Sequence, residues 1–270
     1  MAVNFSILMS LYKKEKSSYL DSCLESIYKQ TIKCDNIVIV HDGPLTPELY
    51  SILDKWKYFL QINEVKLPKN IGLGRALNEG LKYCKYDLVG RVDTDDINLP
   101  ERFEKQYRYM QQNKNVAVTS SHIAEFDQDC DQITGKRMVP LYDRLHKVIH
   151  IRNPINHMTV MFRKKVIIKV GGYQHFPNME DYYLWVRVYD KGYIISNMDE
   201  VLVLARVGNG MLERRQGWSY FKTEIKFLKK LIHMNSVKRK PKIILIFIIR
   251  ACTRILPPYL LSIFYRSTRK

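Results

Sequence analysis

Short β-branched runs alternate with helix-period segments through the first 120 residues, and this alternation restricts the chain to βαβ units laid on a mostly parallel sheet. Val3–Leu11 reads as the first strand, and Leu20, Leu24, Ile27 and Tyr28 then share one helical face. Residues 36–41, NIVIVH, have the composition of a strand buried on both faces, and Asp42-Gly43-Pro44 closes it. A helix over 47–60, a strand near 64–67 and a turn at Pro68-Lys69-Asn70 come next. A helix over 72–84 then turns Ala76, Leu77, Gly80, Leu81 and Cys84 inward. Residues 87–92, DLVGRV, form the next strand and run straight into Asp93-Thr94-Asp95-Asp96. Acids therefore gather at a strand's carboxyl end, where open α/β sheets bind ligands.

Asn98 then reads as a cap facing Glu101 for a helix carrying Phe103, Tyr107 and Met110. Beyond Val116 the pattern is mixed. It holds a Gly171-Gly172 turn, a helix over Glu180–Asp190 ended by Gly192, and strands near Val160 and Val201. A 46% hydrophobic content with 18 Tyr and 10 Phe excludes a disordered chain. Five Cys without a C-x-x-C pair exclude a zinc knuckle and a disulfide framework, and fit a reducing cytosol. No basic segment or cleavage site precedes the first strand, so no secretory signal is expected.

Two chemistries compete at each acidic site. Asp93-x-Asp95 offers two carboxylates to one divalent cation and a diphosphate, the ligand set that Mg²⁺ or Mn²⁺ prefers. Alternatively, Asp95, Asp96 and Asn98 cap the helix that follows. Asp181 fits a general base that takes a proton from an attacking hydroxyl, or an acid placed at a helix start by the macrodipole. His146 and His150 are four residues apart but lack the third ligand of a metal site, so an exposed helix face is expected. His157 reads as a satisfied, partly buried histidine or as a residue lining an acceptor pocket. Gly72-Leu73-Gly74 lacks the spacing of a dinucleotide loop.

An ordered set of motifs spans residues 5–215. It runs through Ser6-Ile7-Leu8-Met9 with Tyr12, Leu20 and Leu24 with Ser26-Ile27 and Gln30-Thr31, and Ile37-Val38-Ile39-Val40 with Asp42-Gly43. Asn70, Gly72-Leu73, Ala76-Leu77-Asn78 and Gly80 follow, then Asp93-Thr94-Asp95-Asp96, Gly171-Gly172-Tyr173 and Glu180-Asp181-Tyr182 with Leu184-Trp185 and Arg187. In this the chain resembles family 2 glycosyltransferases of the GT-A fold, especially those assembling bacterial exopolysaccharide, capsule and O-antigen. The resemblance implies a Rossmann-like, mostly parallel α/β sheet flanked by helices. It implies an inverting transfer of one sugar from a nucleotide-sugar donor, a UDP-hexose by analogy, to a polyprenyl-diphosphate-linked glycan. Ser10, Tyr12 and Asp42 would hold nucleobase and ribose, and Asn70 and Arg75 would flank the nucleotide. Asp93 and Asp95 would hold ribose and Mn²⁺ or Mg²⁺, and Asp181 would be the base. His41 stands where the family commonly has a second acid, and the Q-x-x-R-W of processive polymerases is missing, which favours single-sugar transfer. Arg206, with Arg214-Arg215, fits fixed cations over the diphosphate or a solvated basic face.

The charge divides the chain at residues 1–217 and 218–270. Of a net +17, residues 222–270 supply 13 Lys and Arg against one acid, Glu224. Residues 240–265 add a basic, amphipathic helical tail, too interrupted by Arg250, Arg254 and Pro257-Pro258 to span a bilayer. Two placements suit it: a helix lying on the anionic inner face of the cell membrane, or one packed on the catalytic domain. Two other functions fit the sequence less well. A nucleic-acid binder explains the basic tail but not the acidic strand end, so no nucleic-acid partner is expected. A sugar nucleotidyltransferase needs a Gly-rich loop where this chain has Met9-Ser10-Leu11-Tyr12-Lys13-Lys14.

Overall fold

The computed structural model describes residues 4–208, 217–237 and 241–255. Arg214-Arg215, Pro257-Pro258 and the basic flank 266–270 lie outside the described residues. The first half is the expected alternation: β1 (Phe5–Leu11), α1 (Ser17–Tyr28), β2 (Ile37–His41), α2 (Pro47–Lys57), β3 (Ile62–Lys66), α3 (Leu73–Leu81) and β4 (Leu88–Val92). Parallel pairing joins β3 to β2, β2 to β1 and β1 to β4. Strand order thus reverses at β1, because the crossover through α3 carries the chain to the far side of it. The crevice between the ends of β1 and β4 is the switch point at which such sheets bind ligands.

The far side is mixed. It is built from β5 (Ile97–Asn98), β6 (Val116–Phe126), β7 (Ile133–Arg137), β8 (Met161–Arg163) and β9 (Ile194–Arg206), giving the order β3-β2-β1-β4-β8-β6-β9-β5 with β7 on β6. β8 is antiparallel to both β4 and β6, whereas β6 and β9 run parallel.

The period of two along β1 explains the layers. Phe5, Ile7, Met9 and Leu11 join one core with α1, α2 and α4 (Arg102–Gln112), while Leu8 joins the other. That second core contains α3, α5 (Tyr142–Val148), α6 (Lys164–Lys169) and α7 (Glu180–Asp190). Gly80 permits α3 to lie against the sheet, since a Cβ there would stand 2.4 Å from Leu8 and 2.6 Å from Val40.

Helices α8 (Gly217–Leu231) and α9 (Pro241–Thr253) share this second core. Phe227 stacks on Tyr182 and on Phe247, and Leu231 and Ala251 are buried. Glu224, fully buried, is bound by Arg250 and Arg254, and Arg250 also donates to the Ile151 carbonyl at 2.6 Å. One face of the tail's described part is therefore packed on the domain. No described helix is long and apolar enough to cross a membrane.

Two sequence expectations change. Asn98 is not a helix cap: it sits in β5, its Nδ2 3.0 Å from Ser26 Oγ and its Oδ1 bonded by Arg102, while α4 starts four residues later. His150 is not on an exposed face; it is buried with Nε2 2.9 Å from Ser236 Oγ.

Candidate active site

The acidic loop leaves β4 directly and is gripped on all sides. Cys23 of α1 donates its thiol to the Asp93 carbonyl at 3.2 Å, and Thr94 donates its hydroxyl to Glu15 at 2.5 Å. Asp93 pairs through Oδ1 with Arg91, a buried guanidinium whose strand position the sequence marks as a lone charge in an apolar run. Burial works against the Arg91 charge, but Asp93 outweighs it and holds the group above its usual range. Beneath it, Arg102 donates to the Arg91 carbonyl at 2.6 Å and fixes the strand end.

Asp93, Asp95 and Asp96 bring one carboxylate oxygen each within 4.8 Å of one another. Burial, then Asp93 and Glu15, push the Asp95 carboxyl up to about 7. Burial, then Asp93 and Asp95, raise the Asp96 carboxyl well above the usual carboxylate range. Asp96 Oδ1 accepts the Arg206 amide at 2.9 Å, whereas its buried Oδ2 has no hydrogen-bond partner. None of these acids caps α4. Crowded, desolvated carboxylates with an orphaned oxygen form a hard, all-oxygen donor set, and such a set fits Mg²⁺ or Mn²⁺.

Arg206 lies behind this loop. Its guanidinium is sandwiched between Tyr19 and Phe126, 3.8 and 4.4 Å from the ring centres, and donates to the carbonyls of Asp95 and Asp127. Those bonds make it a brace for the acidic loop.

Ser10 and Tyr12 stand at the end of β1, with Tyr12 exposed. Asp42 follows β2, and its two carboxylate oxygens accept the amides of Ile71 at 2.6 Å and Gly72 at 3.0 Å. Asn70 donates to the Asp42 carbonyl at 3.3 Å. Gly43 is required here, for φ is +89° and a Cβ would stand 2.8 Å from the Asn70 nitrogen. His41 is buried, 3.1 Å from Glu64, and burial lowers its pKa. Arg75 is exposed on the first turn of α3.

The start of α7 closes the group. A Cβ at Gly74 would lie 3.1 Å from Glu180 Cγ and 3.4 Å from Tyr173, so α3 and α7 meet at their first turns. Burial pushes the Glu180 carboxyl up to about 6. Asp181 accepts from Asn153 Nδ2 at 2.7 Å. Tyr173 is buried, and its backbone is clamped by Asn78 at 2.6 and 2.8 Å. Burial pushes its phenol up, Arg91 opposes, and Asp181 and Asp93 add to the rise. His157 is 2.9 Å from that phenol oxygen and is neutral, because burial and Arg91 lower its pKa. The structure thus groups Asp93, Asp95 and Asp96 at the end of β4 and sets Asp181 on the first turn of α7, with Ser10 and Tyr12 at the end of β1 and Asp42 tied to residues 70–72 beyond β2. Glu15, Arg91, Tyr173 and Asn153 were not read as site residues from the sequence; of these only Arg91 carried a local signal.

The sequence matches Glycosyl transferase family 2 over residues 6–171. It is 41% identical over 268 residues to the amylovoran biosynthesis glycosyltransferase AmsE of Erwinia amylovora, covering 98% of this chain and 99% of that one. It is 38% identical over 263 residues to the UDP-Gal:alpha-D-GlcNAc-diphosphoundecaprenol beta-1,3-galactosyltransferase of Escherichia coli, covering 97% of this chain and 95% of that one. The crystal structure of S. aureus TarS 1-349 in complex with UDP-GlcNAc has the same fold, with a TM-score of 0.68 at 17% identity over 93% of this chain and 72% of that one. In a longer TarS crystal structure the chain spans 43% of the length. Strand order, switch-point acids and sequence likeness agree: the chain belongs to glycosyltransferase family 2 and adopts the GT-A fold.

Proposed function

We propose that the chain transfers a single sugar, with inversion, from a UDP-hexose to a hydroxyl of a polyprenyl-diphosphate-linked glycan at the cytoplasmic face of the membrane. The observation that carries this reading is the cluster of the Asp93, Asp95 and Asp96 carboxylates at the end of β4, beside the point where strand order reverses. Asp181 accepts the proton of the acceptor hydroxyl as that oxygen bonds to the anomeric carbon, whose bond to the nucleoside diphosphate breaks with its electron pair leaving on the diphosphate. Asp93 and Asp95 would hold Mn²⁺ or Mg²⁺, which neutralises charge on a leaving diphosphate. Asp42 keeps residues 70–72 folded beside the nucleotide, and Ser10 and Tyr12 line its other edge. Arg206 holds the acidic loop in place from behind.

The donor and acceptor classes are supported by the Escherichia coli relative, whose name pairs UDP-Gal with a diphosphoundecaprenol-linked acceptor. The membrane position is supported by α9, where Leu245, Ile248 and Ile249 are 59%, 43% and 50% exposed on the face opposite Phe247 and Ala251. Exposed Lys222, Lys226, Lys229 and Lys230 on α8 add charge suited to anionic lipid.

The test is nucleoside diphosphate release over UDP-, GDP- and dTDP-sugars with Mn²⁺, using GlcNAc-diphosphoundecaprenol as acceptor. UDP release that needs the acceptor, a product of inverted anomeric configuration, and loss of both in Asp181→Asn are expected. Pyrophosphate release would return the nucleotidyltransferase reading, and release unaffected by Asp181→Asn would remove the base assignment.

A further inference from the structure

Asp181 stands on the first turn of α7, where two side-chain torsions leave its carboxylate free to swing unless something outside the helix holds it. Asn153 does so from a separate segment, through Nδ2 to Asp181 Oδ2 at 2.7 Å. The other end of the same amide, Oδ1, accepts the Ile155 backbone N–H at 3.2 Å. An oxygen engaged by a backbone donor must leave the nitrogen facing the carboxylate, so the amide has one orientation here.

The segment that carries Asn153 is itself fixed by four elements. The Ile149 carbonyl accepts the Tyr182 hydroxyl of α7 at 2.8 Å, and the Ile151 carbonyl accepts Arg250 of α9 at 2.6 Å. The Pro154 carbonyl accepts Asn197 of β9 at 2.9 Å, and Asn156 donates to the Ser121 carbonyl of β6 at 2.9 Å. Pro154 further restricts the backbone of Asn153 to extended conformations.

We infer that Asn153 is a positioning residue of the reaction: it holds the Asp181 carboxylate in the orientation that accepts the acceptor's proton. This rests on Asp181 being the base. The chemistry of the amide suits that task, since its nitrogen donates but cannot accept, and so steadies the carboxylate without competing for the proton it must take. A base must reach its proton within ~2.6–3.2 Å. Displacement by ~1 Å costs on the order of 100-fold in rate.

The test uses the full chain with the donor and lipid-diphosphate acceptor that turn over in the screen above, and compares Asn153→Ala, Asn153→Asp and Asp181→Asn. Asn153→Ala is expected to lower kcat by ~30- to 100-fold while donor KM and UDP affinity stay within about twofold. Asn153→Asp keeps the shape and the acceptor for Ile155 N–H but sets one carboxylate against another, and is expected to lower kcat further with donor KM again unchanged. Wild-type kcat in Asn153→Ala beside an inactive Asp181→Asn would overturn this inference alone. Wild-type kcat in Asp181→Asn would remove the base, and the inference with it. A fall of kcat in step with melting temperature and UDP affinity in both Asn153 variants would mean a structural role and would also overturn it.

Discussion

Asp96 and Asp95 are neighbours with different surroundings, and the difference assigns them different work. Asp96 is buried with one oxygen on the Arg206 amide and the other without a partner, an arrangement that costs ~1–3 kcal/mol unless a proton or a cation relieves it. Asp95 is less buried and is raised only to about 7, so it can ionise at working pH and bind a cation. Asp95→Asn is therefore expected to weaken Mn²⁺-dependent UDP binding by about 100-fold, ~3 kcal/mol, with little change in metal-free UDP binding. Asp181→Asn is expected to leave both unchanged while lowering turnover by ~10²- to 10⁴-fold. Calorimetric titration of UDP with and without Mn²⁺ separates the two; equal weakening in both variants would refute the division of roles.

Helix α9 has two faces, and they call for different experiments. Its inner face carries Phe247, Ala251 and Arg250, which with Arg254 just past the helix end neutralises buried Glu224, and removing that partner set would leave an unpaired buried charge at a cost of ~3–5 kcal/mol. Deleting residues 240–270 would consequently unfold part of the core and report nothing about lipid. Substituting the outer stripe, Leu245→Asp with Ile249→Asp, leaves the inner face intact. That double variant is expected to lose sedimentation with anionic vesicles while its melting temperature stays within a few degrees; unchanged sedimentation would reject the membrane face. The same contrast between local and distant causes decides what could be read from the sequence. β1, β2 and β4 were legible because strands buried on both faces have a composition of their own, and α7 because Gly192, at φ +80°, ends it with a local signal. Asn98 looked like a cap because the cap pattern is local, but its partners are Ser26, 72 residues away, and Arg102. His150 meets Ser236 across 86 residues, and Asn153 meets Asp181 across 28, distances over which no spacing rule acts. Among the site residues, those carried on the β1, β2 and β4 ends and on α7 could be named from pattern and family resemblance. Glu15 and Asn153, which meet them from distant segments, could not.

At the scale of the whole molecule, the acidic loop makes stability depend on pH in a direction opposite to that of most carboxylates. The Asp95 carboxyl is raised in the folded state, from 3.8 to about 7, so its contribution is fully present below pH 3.8 and is lost as pH rises through 7. In that window the folded state binds more protons than the unfolded one. Taken in full the displacement corresponds to ~4 kcal/mol, which partial solvent access reduces to ~2 kcal/mol. About 60% of that loss falls between pH 5 and pH 8, which for a chain of this size is a fall of ~3–5 °C in melting temperature in chelator. A divalent cation reverses the balance, because it needs the ionised carboxylate and gives back what the charge costs. The rise in melting temperature on adding Mn²⁺ should therefore be small at pH 5.5 and grow as pH passes 7, and Asp95→Asn should abolish that growth. Melting curves over this range, with chelator and with Mn²⁺, measure both trends at once. A Mn²⁺ shift that stays constant with pH, or that survives Asp95→Asn, would show that the cation binds somewhere other than the end of β4.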